Sequence, residues 1–192
     1  MIYLVDMEHP GLVVFPTHRL VRDLPNFDKE AVLEKCSEFF YIDEKEGTDT
    51  MEEDLKKLYD EGKKAFGFYC GKGEWFLLTL KNIDFMSQML LDVSKASQSL
   101  DVSVLHTLIL EKIFGIDKEN MAKQINLTYT KFFTEAIDGV DKGEFQCSFV
   151  LNPTRVTEIR DVAAAGEKMP QKSTYFYPKM ITGMVMNNLG VD

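Results

Sequence analysis

Two short stretches of the sequence bring together cationic and hydroxyl side chains of the kind that hold anions. The segment MPQKSTYFYPK at 169–179 contributes four such residues, Lys172, Ser173, Thr174 and Lys179. The segment FPTHRL at 15–20 contributes three more, Thr17, His18 and Arg19. Cationic side chains form charge-assisted hydrogen bonds with phosphates and carboxylates. The alternative for the first segment is an exposed polar loop; for His18 and Arg19 a salt-bridged turn is favoured.

The tetrapeptide QKST within the first segment resembles the end of a P-loop, but the resemblance fails on physical grounds. A P-loop needs glycines so that backbone N–H groups can wrap a phosphate, and it opens a helix. Here proline and glutamine precede the lysine, and an aromatic run follows the threonine. A P-loop is therefore excluded, and any anion would be held by side chains.

The same segment is interpreted as a rim loop that leads into a strand. Its lysine, serine and threonine have no apolar reason to be buried, so we expect them to be solvent-accessible. We expect them to face a cleft that also holds Arg19 or His18. Since strand side chains alternate between faces, Phe176 should lie in the core, opposite its two tyrosine neighbours.

Other common chemistries find no support in the spacing of the reactive residues. The histidines stand at 9, 18 and 106 and form neither HxxxH nor HExxH, so no metal site is predicted, and His106 is expected to pack within a helix. No G-x-S-x-G nucleophile motif is present. Cys147 lies among apolar strand residues, where burial would raise its pKa, so a structural thiol is expected.

The composition restricts the partners and the compartment. With 31 acidic and 22 basic residues, the net charge is −9, which argues against binding to nucleic acid or to an anionic membrane surface. Three cysteines without a CxxC motif are typical of a reducing cytosol. The N-terminus does not resemble a signal peptide, and no apolar run reaches the roughly 20 residues of a membrane span. A cytoplasmic protein is expected.

Periodicity and turn signals predict alternating helices and strands. Helices are expected from an N-cap at Asp28 onward, over 48–64, 101–114, 118–123 and 131–138, and from an N-cap at Asn152 onward. Strands are expected over 1–7, 11–15, 64–70, 74–80, 125–129, 145–153 and 175–177. The pattern predicts an α+β fold, with a mostly antiparallel or mixed sheet and packed helices in a single domain over 1–192.

Three local details can be checked directly. Thr50 and Glu53 have the spacing of a capping box at the start of the second helix. Gly62, Gly115 and Gly166 are placed to end helices. The segment 71–73 is expected to be a three-residue hairpin loop.

Four stretches together resemble the C-terminal half of a bacterial and archaeal family, domain of unknown function 1015. They are GLVVFPTHR (11–19), LDVSVLHTLIL (100–110), FVLNPTRV (149–156) and MPQKSTYFYPK (169–179). Full-length members carry an Asp-Gly-His-His-Arg-Tyr motif in their first half, and that half resembles the ParB/sulfiredoxin-like superfamily, which includes free-serine kinases. This chain lacks the motif; its Pro16-Thr17-His18-Arg19 is a separate element.

The resemblance implies a functional expectation for this chain as the C-terminal part of a longer protein. It would contribute to a small-molecule, nucleotide-linked site with kinase-like phosphotransfer in the complete protein, using ATP or ADP with Mg. The residues carried over are Pro16, Thr17, His18, Arg19, Lys172, Ser173, Thr174 and Lys179. The isolated chain is expected to be inactive.

The alternative is a non-catalytic binding or dimerisation module. The sequence begins within a strand-like segment, as a piece of a longer protein would, and an unpaired strand edge invites another chain. A homodimer or larger oligomer is therefore expected. The expected ligand is a small anion or a nucleotide.

Overall fold

The computed structural model of the protein describes residues 5–7 and 9–179. The strands are β1 (Val13–Phe15), β2 (His18–Val21), β3 (Phe40–Glu46), β4 (Ala65–Gly71), β5 (Glu74–Leu80), β6 (Leu127–Thr130), β7 (Cys147–Val150) and β8 (Tyr175–Tyr177). The helices are α1 (Lys29–Cys36), α2 (Met51–Asp60), α3 (Asp84–Met89), α4 (Lys95–Gln98), α5 (Asp101–Val104), α6 (Lys118–Lys123), α7 (Phe133–Asp141) and α8 (Val156–Ala164). A π-helix, Leu105–Ile113, continues α5.

Six of the strands form one sheet in the order β3-β5-β4-β7-β2-β6, and every pairing in it is antiparallel. The strands β1 and β8 pair with each other in a separate two-stranded antiparallel sheet. The predicted α+β class, with a mostly antiparallel sheet and packed helices in a single domain, is confirmed.

Apolar side chains cover both faces of the six-stranded sheet. Along β4, Phe66 and Phe68 belong to one buried cluster, which also contains residues of α1, α5 and the π-helix. Ala65 and Tyr69 belong to a second cluster, with residues of α2 and α7. Since neighbouring strand residues point to opposite faces, the sheet lies between two helical layers. These layers fix the ends of β2 and β6, where the candidate site lies.

Several predicted helix boundaries are confirmed. Asp28 caps α1, because its carboxylate accepts a hydrogen bond from the Ala31 N–H at 3.0 Å. The helix-ending glycines Gly62, Gly115 and Gly166 all have positive φ, at 76°, 71° and 76°. A left-handed residue at this position satisfies the last carbonyl groups of a helix, and glycine adopts it without steric cost.

The predicted capping box and hairpin loop are wrong. Thr50 makes no side-chain cap hydrogen bond; its hydroxyl lies 3.4 Å from Asp54 instead. The hairpin loop has two residues, not three, because Gly71 pairs with Glu74 after a register shift in β4. Lys72 fits such a loop because it adopts a positive φ of 57°.

The start of α8 was also predicted wrongly, at Asn152. The helix begins at Val156, and the Glu158 carboxylate accepts a hydrogen bond from the Arg155 N–H at 2.9 Å. The Asn152 side-chain amide instead donates to the Leu55 carbonyl oxygen at 3.0 Å, tying the loop to α2. This long-range contact replaces the local cap that the Asn-Pro pair suggested.

Strand β3 was not predicted from the sequence, and neither were the short helices α3 and α4. β3 pairs only with β5 at the edge of the sheet and is mostly exposed, so charged residues interrupt its apolar pattern. The strand predicted over 1–7 lies partly outside the described residues, and 5–7 form no strand. The helix predicted over 101–114 exists, but most of it is a π-helix, a form that apolar spacing alone does not distinguish.

Candidate functional site

Arg19 on β2 joins the two polar segments, although its side chain is only 1% exposed. Its guanidinium donates hydrogen bonds to the Thr17 carbonyl oxygen, and to the Lys172 carbonyl oxygen at 3.1 Å. It also lies 3.2 Å from Nε2 of His106. Strand β2 and the loop before β8, which are 153 residues apart, therefore meet at this guanidinium.

The prediction of a salt-bridged turn at His18 and Arg19 is wrong. Arg19 forms no ion pair with a residue in the described part of the chain, and its Nε has no hydrogen-bond partner there. The ring of Tyr129, 5.5 Å away, provides a cation–π contact. Burial lowers the pKa of Arg19 to about 10. Burying a guanidinium is costly, and no carboxylate among the described residues offsets that cost here.

The two histidines next to this arginine are neutral. Nδ1 of His18 accepts a hydrogen bond from the Leu151 N–H at 3.2 Å, which places the ring proton on Nε2. Arginine can only donate, so Nε2 of His106 is the acceptor toward Arg19. Burial, and then the Arg19 charge, lower the pKa of His18 to about 4 and that of His106 to about 3.

Three of the predicted site residues line one cavity of about 310 Å³, which we call the lysine pocket. They are Thr17, Lys172 and Thr174. The remaining lining residues come from β6, the turn after it, α7 and β8, namely Tyr129, Thr130, Lys131, Phe132, Glu135 and Tyr175. The pocket therefore lies where the two-stranded sheet meets the β6 edge of the six-stranded sheet.

Aromatic rings position the second lysine of this pocket. Nζ of Lys131 lies 3.5 Å from the Tyr175 hydroxyl oxygen, 4.6 Å from the centre of that ring and 4.9 Å from the centre of the Phe132 ring. Nζ of Lys179 lies 4.4 Å from the centre of the Tyr175 ring. Cation–π contacts hold the ammonium groups without neutralising their charge.

Among the described residues that line the lysine pocket, lysines outnumber carboxylates. Neither Lys131 nor Lys172 forms an ion pair with a described residue, and the hydroxyls of Thr17 and Thr174 make no hydrogen bond there. Glu135 is the one carboxylate in the lining, and it accepts a hydrogen bond from the Thr130 hydroxyl. Two ammonium groups with two free hydroxyls can hold an anion of phosphate size.

The other predicted residues lie outside the pocket. Ser173 was expected to be accessible, which is wrong, because it is 4% exposed and its hydroxyl donates to the Pro170 carbonyl oxygen at 2.7 Å. Its own carbonyl oxygen accepts from the Thr154 hydroxyl at 2.7 Å, so it stabilises the turn. His18 lines a different cavity of about 300 Å³, together with Pro16.

The placement of Phe176 in the core is also wrong. Phe176 is half-buried and belongs to neither core cluster. The alternation rule applies to β8, but among the described strands β8 pairs with β1 in the small sheet, and none of its residues belongs to a core cluster.

Sequence analysis missed Lys131, Tyr129 and Tyr175 as site residues. The available signal was the segment TYTKFF at 128–133, in which a lysine stands among aromatic residues directly after a strand. That lysine is 44 residues from Tyr175, and only the packing of β6 beside the small sheet brings the two together.

No group of histidine, cysteine and carboxylate side chains suited to a metal ion occurs among residues 5–7 and 9–179. Cys147 is buried and free, and burial raises its pKa well above the ordinary value, as expected of a structural thiol. Over the same ranges, no helix is long and apolar enough to cross a membrane.

The chain belongs to a family described as "Protein of unknown function (DUF1015)", which matches residues 1–103. No match was found among curated proteins. Solved structures do share the fold. A conserved hypothetical protein from Pyrococcus furiosus aligns with a TM-score of 0.50 and 20% identity, over 90% of this chain and 59% of that chain.

Free serine kinase has the same fold. Its complex with AMP aligns with a TM-score of 0.50 and 16% identity, over 90% of this chain and 56% of that chain. A mutant in complex with ADP aligns with a TM-score of 0.50 and 14% identity, over 91% and 57%. The chain thus spans less than two thirds of the structures it matches, and these similarities establish the fold alone.

Proposed function

We propose that the lysine pocket binds phosphate groups and is part of a small-molecule, nucleotide-linked site. The observation that carries this proposal is the meeting of Lys131, Lys172 and two threonine hydroxyls at one cavity, where no described carboxylate pairs with either lysine and no described residue bonds to either hydroxyl. A pocket with two unneutralised cations, in a chain of net charge −9, is suited to attract an anion locally.

The reaction that we propose for the complete protein is a kinase-like phosphotransfer, with this chain as its C-terminal domain. Two observations support it: the fold shared with free serine kinase bound to AMP or ADP, and the larger size of those proteins. Phosphoryl transfer depends mainly on positioning and charge stabilisation, and lysines around a phosphate supply both. The nucleotide would be ATP or ADP with Mg. The rest of the protein would provide the side chains that bind the Mg ion.

Titration calorimetry with inorganic pyrophosphate tests the phosphate site without assuming a nucleotide. We expect pyrophosphate to bind and Lys131→Ala or Lys172→Ala to weaken it by roughly tenfold or more, because a hydrogen bond to a charged group contributes about 1.5–3 kcal/mol. The matched control is Lys57→Ala, since Lys57 is exposed on α2 and lines none of the three cavities.

Absence of pyrophosphate binding would overturn the proposal. An equal loss of affinity in the Lys57 variant would also overturn it, because the effect would then be general attraction to a lysine-bearing surface.

A dimerisation module is the second candidate. The cross-strand partners Val13 and Tyr177 on the small sheet are 42% and 52% exposed. Light scattering over a concentration series tests the expected homodimer. Tyr177→Ser should shift the association toward monomer if this sheet forms the interface, and a wild-type chain that stays monomeric at high concentration would contradict it.

A further inference from the structure

A second and larger cavity, of about 650 Å³, lies beside the lysine pocket. Its walls come from the α3–α4 connection, α4, α5, the π-helix, α6, β6 and the segment before β8. Side chains such as Leu90, Val93, Met121 and Pro170 make much of this lining apolar. The volume lies within the roughly 300–1,000 Å³ that small-molecule pockets occupy. None of the seven binding residues predicted from the sequence lines it.

Several polar groups of this large cavity have no hydrogen-bond partner among the residues that the structure describes. Ser103, Thr107 and Tyr129 line it, and none of their hydroxyl groups makes a hydrogen bond with a described residue. His106 also lines it and is held neutral through Nε2, which leaves its Nδ1–H as a donor. An apolar cavity with several unpaired hydroxyl groups and a neutral imidazole suits an uncharged ligand that carries hydroxyl groups of its own.

The charged groups of the cavity do not change this assignment. Glu167 is already engaged, because its carboxylate accepts hydrogen bonds from the Ser94 N–H and hydroxyl and from the Ser97 hydroxyl. Lys118 and Lys168 are exposed and so belong to the rim. Glu111 of the π-helix also lines the cavity; it is half-buried and its carboxylate makes no hydrogen bond or ion pair with a described residue. Beside the apolar side chains and hydroxyl groups, the interior therefore offers one carboxylate that can accept hydrogen bonds from a ligand's hydroxyl or amino groups.

The large cavity and the lysine pocket share a wall. Tyr129 lines both, and the consecutive residues Gln171 and Lys172 line one each. Behind this wall, the Arg19 guanidinium contacts both His106 and the Lys172 carbonyl oxygen. A ligand with an apolar, hydroxyl-bearing part and an anionic part can therefore occupy both spaces at once.

We propose that the large cavity binds the nucleoside part of the nucleotide whose phosphate groups lie in the lysine pocket. This inference rests on the proposed function and adds the place and chemistry of base recognition. The flat base would pack against the apolar wall and the Tyr129 ring, and the ribose hydroxyls would pair with the free hydroxyls of Ser103 and Thr107.

Calorimetry with three probes on the 192-residue chain separates the two spaces: adenosine, inorganic pyrophosphate and ADP. We expect adenosine to bind and to compete with ADP, and ADP to bind at least tenfold more tightly than pyrophosphate. Ala122→Trp should weaken adenosine and ADP at least tenfold and leave pyrophosphate unchanged, because Ala122 is exposed and lines only the large cavity. The matched control is Ala164→Trp, at an exposed alanine of α8 that lines none of the three cavities.

Thr107→Val is a second variant, which removes a hydroxyl and nearly preserves the volume. It should weaken the binding of adenosine and ADP several-fold without affecting the binding of pyrophosphate.

If pyrophosphate binds and adenosine does not, the proposed nucleoside cavity is wrong and the proposed phosphate site stands. If adenosine binds and the lysine variants leave ADP unaffected, the phosphate site is wrong. Adenosine binding that is insensitive to Ala122→Trp would place the nucleoside elsewhere and overturn this inference.

Discussion

Two groups of cations in this molecule differ in what surrounds them. Lys64, just before β4, lies between two carboxylates, with its Nζ 2.8 Å from Asp101 and 2.9 Å from Glu158. Arg19 and Lys172, by contrast, form no ion pair with any residue that the structure describes. The Lys64 ammonium is neutralised by neighbouring carboxylates, whereas the charge of the second group is not neutralised by any residue that the structure describes.

The pKa shifts reflect the same difference. Burial alone would lower the pKa of Lys64, but the attraction of Asp101 and Glu158 outweighs it and raises that pKa. The pKa of Arg19 is lowered by burial, and no carboxylate among the described residues offsets this effect. We therefore propose that Lys64 supports the stability of the fold, and that the lysine pocket, with Arg19 buried behind it, serves ligand binding.

The largest expected effect is on stability at the Lys64 cluster. Lys64→Met would leave two largely buried carboxylates without their cation, and breaking a buried pair in this way destabilises a fold by about 3–5 kcal/mol. The matched control is Lys63→Ala, because Lys63 is 53% exposed and its bridge to Glu61 is a surface pair. Urea unfolding would measure both; equal effects of the two variants would contradict the structural role of Lys64.

The second effect is acid sensitivity at the histidines beside Arg19. Their folded pKa values, about 4 for His18 and about 3 for His106, lie below the ordinary 6.5. Below pH 6.5 the unfolded chain therefore binds more protons, so stability is lost as the pH falls toward these values. At 1.4 kcal/mol per unit of pKa, His18 alone should account for about 2 kcal/mol between pH 7 and pH 5.

The substitutions His18→Asn and His106→Gln keep a hydrogen-bond acceptor at each position but remove the titratable ring. Chemical unfolding at pH 7 and pH 5 should therefore show a smaller loss of stability in His18→Asn and His106→Gln than in the wild type. His9→Asn serves as the control, because His9 is exposed near the N-terminus. An unchanged pH dependence in both variants would contradict the neutral state assigned to these rings.

The smallest expected effect on stability is at Lys172. The residue is exposed, its side chain makes no hydrogen bond with a described residue, and its bond to Arg19 uses the main-chain oxygen, which alanine keeps. Lys172→Ala should therefore change the free energy of unfolding by no more than about 0.5 kcal/mol, as surface substitutions generally do. A loss of stability like that of Lys64→Met would mean that Lys172 also supports the fold.

The isolated chain is expected to show no turnover. Incubation with ATP or ADP, Mg and a panel of amino acids should give no phosphorylated product above a control without protein. Product formation that is lost in Lys172→Ala would show that this chain carries the catalytic groups itself. The proposal that catalysis requires the first half of the complete protein would then be wrong.

The features that were predicted correctly from the sequence depend on residues that lie close together in the chain. Asp28 was identified as a cap because an aspartate before a helix accepts from the backbone within three residues. The central hairpin was predicted because two strand-like runs flank a glycine-rich turn. The prediction that Phe176 lies in the core was wrong. The alternation of strand side chains shows which residues share a face of the strand, but not whether that face packs against the core.

The candidate site could be predicted only in part. The two polar segments were recognised from residue types, and Thr17, Lys172 and Thr174 do line one pocket. Lys131 and the large cavity depend on how β6, the π-helix and the small sheet pack, and this information is not local in the sequence. The buried state of Arg19 could not be predicted either, because an arginine is normally expected at the surface.

The comparison between the two groups of cations can be tested in one titration. The protein would be labelled with ¹³C-lysine, and the Hε–Cε signals of Lys64, Lys131, Lys172 and Lys57 would be assigned with Lys→Arg variants and followed as inorganic pyrophosphate is added. The account predicts saturable shifts for Lys131 and Lys172, with Lys64 and Lys57 unchanged. Uniform, non-saturating shifts of the exposed lysines, or no shift at Lys131 and Lys172, would contradict it.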